Sequence, residues 1–194
     1  MKKIEFYTVL VIAALLAVRI FAGMYMYVFL RILLVLVSIY YMWFGFFIFN
    51  EMGLKDLFNR SQRQKLSPLR VISSIIAGLI YSLSFITIVH TVEFYRGMHF
   101  LLGFSFAMNL GFTLFCFFIL KYKKTEGAFM KQFLSRSLLF SLFFLFVMLV
   151  PVEKRLTTLY KGHPRFIEAY QAHRMDPDNE EKLQHLREER SAFR

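Results

Sequence analysis

Long apolar runs alternate with short charged ones along this chain, at a spacing that fits a lipid bilayer better than a soluble core. The runs cover 6–22, 28–49, 71–91, 100–120 and 133–150 and hold between 17 and 22 residues each. A helix of that length, rising ~1.5 Å per residue, crosses a hydrocarbon layer of roughly 30 Å. The pattern predicts an all-α fold: a polytopic transmembrane helix bundle of about five spans over 1–150, followed by a polar, helical C-terminal tail over 151–194.

The first two runs cannot be one helix, because 6–49 would extend about twice the thickness of the bilayer. A reversal is expected at Gly23, in "GMYMY", with Tyr25 and Tyr27 at the interface that amphipathic rings favour. Arg19 and Arg31 stand four residues either side of that segment. Each is then ~6 Å along its helix from the turn and can snorkel to the interface. Both are candidate contacts for a lipid phosphate or a partner carboxylate. The opening "MKKIEFYTVLVIAALLAVRIFAG" has the basic start of a signal peptide, but Arg19 interrupts its apolar region and another membrane-length run follows, so a retained first helix is expected.

Composition agrees with the spans. Hydrophobic residues make up 57 % of the 194 positions, with 25 Phe, 10 Tyr and 10 Met, and only 19 % are charged, below the ~25 % usual in soluble domains. The net charge of +11 comes largely from basic residues that flank spans, which is a topology signal and points away from nucleic acid. "NEMGLKDLFNRSQRQKLSPLR" has five Lys or Arg against two acids, "KYKKTEGAFMKQ" four against one, and "TVEFYRGMH" Arg96 alone. The bias places the N terminus and both basic loops in the cytoplasm and, with five spans, the tail in the periplasm. Nine basic residues in the tail itself pull the other way. The single Cys116 excludes an intrachain disulfide.

After Pro151 the chain turns polar. Pro164 is expected to open a short helix, and Asp176 to cap a second with Pro177 at its first position. Acids Asp178, Glu180 and Glu181 precede Arg187, Arg190 and Arg194, matching the helix dipole. Leu183, Leu186 and Phe193 form only a thin apolar stripe, so this hairpin should rest on the membrane domain, bind a partner or stay partly mobile.

Two small-residue series stand out. Ser74, Gly78 and Ser82 lie on one face of the third span, Gly103, Ala107 and Gly111 on one face of the fourth. They predict close helix packing, either with each other across a short connection or with another subunit. His90, Glu93 and His99 cluster around that connection and are candidate ligands for a metal, with a haem pair of histidines as a variant. Their spacing is also met by interfacial polar groups bonded to backbone, water or Arg96. No Asp or Glu falls inside a span; the deepest polar residues are Ser38, Ser84, Thr87, Asn109 and Thr113, with Asn109 suited to an interhelical hydrogen bond. That absence argues against carboxylate-driven transport. No metalloprotease, nucleophile-elbow, phosphate-loop or paired-acid motif occurs, and the tail histidines His163, His173 and His185 sit among ordinary surface residues.

The stretch "LIYSLSFITIVHTVEFYRGMHFLLGFSFAMNLGFTLFCFFILK" resembles hairpins of small membrane proteins of Bacteroidota, including the N-terminal hairpin of the gliding-motility and type IX secretion motor L subunit, with His90 and Gly97 in corresponding places. The tail "YKGHPRFIEAYQAHRMDPDNEEKLQHLREER" is similar to tails of other proteins of that phylum. The resemblance implies a bacterial inner membrane. It does not carry over the motor role, because this chain departs in its five spans and its lack of an intramembrane glutamate. The function expected is a non-catalytic structural or accessory subunit of a larger inner-membrane complex, with membrane lipids and other membrane subunits as partners and no cofactor. The alternatives are a lipid or small-molecule transport or binding protein, and a metal- or haem-binding redox subunit.

Overall fold

A computed structural model describes residues 27–50, 52–53, 66–122 and 127–192. The expected first span over 6–22 lies outside the described residues, as does Arg19. Seven helices make up the described secondary structure: α1 (Tyr27–Asn50), α2 (Pro68–Glu93), α3 (Met98–Tyr122), α4 (Gly127–Leu149), α5 (Val152–Leu159), α6 (Pro164–Met175) and α7 (Glu180–Ser191). The first four are long and apolar enough to cross a membrane. At 23 to 26 residues they run past the apolar cores read from the sequence. The largest difference is at α4, which begins at Gly127 instead of 133. Its first two turns carry Lys131 and Gln132 on one side and bury Phe129 and Met130 on the other, so average hydropathy hides them.

The described chain forms two compact units, one within Leu33–Leu149 and one from residues 27–32 and 150–192. In the first, α2 is the central helix, with 61 % of its apolar window buried against 33, 28 and 28 % for α1, α3 and α4. It starts cleanly: Ser67 Oγ accepts a hydrogen bond from Arg70 N, and Pro68, which has no N–H to lose, opens the helix. It ends at Phe94, left-handed at φ 52°, whose N–H donates to His90 O, and Gly97 at φ 82° completes the turn into α3. A bulky residue in that backbone region is strained; the ring is 2 % exposed, so its burial offsets the strain.

Lipid is as apolar as leucine, so this unit is held by close packing and interhelical hydrogen bonds more than by expulsion of water. One face of α2 meets α1 antiparallel. Ser38 Oγ lies 3.0 Å from Ser82 O and 2.9 Å from Ser82 Oγ, and at the other end Asn50 Nδ2 donates to Ser74 Oγ at 2.8 Å. Between these bonds Gly45 and Gly78 bring the two backbones together: a Cβ added at Gly78 would stand 2.7 Å from Tyr41 O, and one at Gly45 2.7 Å from Gly78 Cα. A second face meets α3, and a third meets α4, where Tyr81 donates to Phe133 O at 3.2 Å and lies 3.0 Å from Ser137 Oγ. Rings of Tyr41, Phe49, Tyr81, Phe85, Phe133 and Phe140 fill the space around that bond.

In the second unit Val152, Leu156, Tyr160, Phe166, Ala169 and Leu186 are buried. Tyr160 packs on Phe166 at 4.5 Å, and Arg190 stands 5.6 Å over the Phe166 ring. Pro164 opens α6 as expected. The expected cap of α7 is corrected: Asn179, not Asp176, is the N-cap and accepts from Lys182 N at 3.1 Å, while Asp176 ends α6 and pairs with Lys182 Nζ at 3.0 Å. Asp176, Pro177 and Asp178 form the turn, and the helix begins after Asn179.

Candidate functional site

The polar side chains within the spans line the faces of α2. On the α3 side Ser73, Ser84, Thr87 and Thr91 recur at helical spacing, and all are at most 7 % exposed. Across from them Ser105, Asn109 and Thr113 repeat every four residues on α3. Asn109 Nδ2 donates to Ser84 Oγ at 2.8 Å, the interhelical amide bond expected from the sequence, and Thr87 Oγ1 meets Ser105 Oγ at 2.6 Å. Ser105 was not among the residues singled out in the sequence, although its spacing from Asn109 and Thr113 is the signal that finds it.

The two small-residue series do not pack against each other, which corrects the expectation of a shared seam. Ser74, Gly78 and Ser82 face α1. Gly103, Ala107 and Gly111 lie away from the polar stripe of α3: Ala107 and Gly111 are exposed, and no described atom lies within 4 Å of a Cβ added at Gly103 or Gly111. On α3 the side chains that hydrogen-bond to α2 are Ser105 and Asn109.

The metal-ligand candidates are likewise not assembled. His90 turns Nδ1 onto Ile86 O of its own helix at 3.0 Å and stacks edge-on against Tyr95. Glu93 is not a loop residue but the last of α2, 2 % exposed and partnered. His99 is exposed on the first turn of α3. Among the described residues no three His, Cys, Asp or Glu side chains are placed to hold a metal ion.

Cationic groups mark the opposite end of this unit. Arg70 lies 5.0 Å from the Phe129 ring centre and Arg136 5.2 Å from that of Phe49. Such contacts let guanidinium groups rest against apolar surface. Arg31, on α1, is half-buried and partnered.

In the tail, Glu153 is held below its ordinary value by a backbone hydrogen bond and by its bond to Arg174, and Asp176 is held low by its bond to Lys182. Burial raises the Tyr170 hydroxyl. Both ion pairs are exposed to solvent on the helical surface of the tail.

Fold and polar arrangement together define a polytopic all-α membrane protein whose apolar outer faces contact lipid. No protein-family model, curated protein or solved structure matches the chain.

Proposed function

We propose that the chain is a non-catalytic structural or accessory subunit of a larger assembly in a bacterial inner membrane. The observation that carries this reading is the contrast between the two small-residue series. Gly78 is used within the chain, whereas Gly103, Ala107 and Gly111 present an equivalent stripe outward. Stripes of this kind let a second helix approach closely in lipid, where packing is the main driving force for association. The polar groups of the spans support the same reading: Ser38, Ser82, Ser84, Thr87, Ser105 and Tyr81 bond helix to helix, which is scaffold chemistry.

The positive-inside bias orients the proposed subunit with Arg70, Lys131 and Arg136 at the cytoplasmic side and the tail in the periplasm.

Replacing Gly111 with Leu tests the reading. Nothing lies within 4 Å of a Cβ added there, and leucine is a better helix former than glycine by roughly 0.8 kcal/mol. The variant chain should therefore melt no lower than the wild type in detergent while losing its partner. A photo-crosslinking residue at Ala107 should, in the native host, capture another membrane polypeptide. Crosslinks to lipid alone, together with unchanged behaviour of Gly111→Leu cells, would contradict the proposal.

A further inference from the structure

We infer that the α2–α3 seam binds a water molecule at the middle of the span, seated between Asn109 and the Thr87–Ser105 pair. Four side chains build the site, Ser84 and Thr87 on α2 with Ser105 and Asn109 on α3, and each is 0 % exposed. Their protons can be followed one by one. The Asn109 amide donates to Ser84 Oγ and to Ser105 O, both at 2.8 Å. Ser84 Oγ passes its own proton to Ile80 O at 2.8 Å. Thr87 Oγ1 and Ser105 Oγ stand 2.6 Å apart, a distance that accommodates one proton between them. The pair has two hydroxyl protons, so one is left over. Meanwhile Asn109 Oδ1 is buried and accepts from none of the described residues.

A donor lacking an acceptor and an acceptor lacking a donor thus lie one helical turn apart on the same side of α3. One water closes both, accepting the leftover hydroxyl proton and donating to Asn109 Oδ1. Turning the amide over would not do so, since its oxygen would then face Ser105 O, acceptor against acceptor. Magnitudes decide for occupation. Leaving a polar group unpaired in an apolar medium costs more than immobilising a water that pairs it. Depth makes the site unusual. Asn109 is near the midpoint of the 25 residues of α3, where surrounding lipid supplies no water. The water is therefore resident in the protein, held at the α2–α3 contact.

Water-edited solid-state NMR on the uniformly 15N-labelled protein in perdeuterated bilayers tests this. The chain has asparagines only at 50, 59, 109 and 179, so Asn109→Leu identifies the side-chain resonance by its loss; a sequential backbone assignment serves the same purpose if that variant does not fold. Magnetisation from water should reach the Asn109 side chain several-fold faster than the backbone amides of Phe112 and Cys116, buried on the same helix. Build-up at Asn109 as slow as at those two amides would overturn the inference.

Discussion

Gly78 shows how a single missing side chain can organise a membrane helix pair. Its Cα–Cβ direction points at Tyr41 O, and the partner glycine, Gly45, leaves no room for relief by a small shift. Gly78→Ala should therefore open the α1–α2 contact and strain the Ser38–Ser82 bonds beside it. Gains in helix propensity of up to ~1 kcal/mol are outweighed by overpacking, which typically costs about 1–3 kcal/mol. A lower midpoint in a detergent-based thermal unfolding assay is expected for Gly78→Ala, and an equal or higher one for Gly103→Ala, where the added carbon meets nothing. Equal midpoints for both would mean that the close approach is not structurally important. The sequence placed Gly78 on a packing face but named the wrong neighbour, because small-residue spacing identifies a face without identifying what covers it.

Among the elements of the first unit, α2 is the most buried, and its three faces use different means: glycine and serine toward α1, hydroxyl and amide groups toward α3, aromatic rings and one tyrosine hydroxyl toward α4. Interhelical hydrogen bonds in bilayers average ~0.6 kcal/mol each, so no single bond carries the fold and the sum over three faces does. The spans were legible because hydropathy averages over about twenty residues and survives local exceptions. Their ends were less so. Lys131 and Gln132 masked the start of α4, and Glu93, read as a loop residue, closes α2 in a buried position. In the tail, Asp176 and Asn179 both suit a cap, and only the intervening turn decides between them. The water-binding pair Ser105 and Asn109 was visible as a spacing, but its orphaned oxygen emerges only from counting donors against acceptors.

For the whole molecule, charge separates the parts. The tail carries two ion pairs, Glu153 with Arg174 and Asp176 with Lys182. Both carboxylates have folded values lowered from 4.5 and 3.8, respectively. The stability they contribute is fully present above those ordinary values and is lost as pH falls through the lowered folded ones. Amide exchange in α6 and α7, taken relative to the intrinsic rate at each pH, should thus be unchanged from neutral pH down to the ordinary carboxylate range and quicken only below it. The effect should be small, since both pairs are exposed to solvent. Quickening that begins near neutral pH would show that other groups hold the hairpin.

On the proposed reading, a chain whose internal polar groups bond helix to helix, and whose second small-residue stripe faces outward, sits beside a helix of another subunit. The most direct test of that reading is the mass of the particle that contains the chain when it is extracted in a mild detergent from its native host at native abundance. The expected result is a protein mass, free of bound detergent and lipid, well above the 23.1 kDa of the chain, with at least one other membrane polypeptide in constant ratio, dissociated by Gly111→Leu. A monodisperse monomer in lipid and detergent, with no partner, would contradict it.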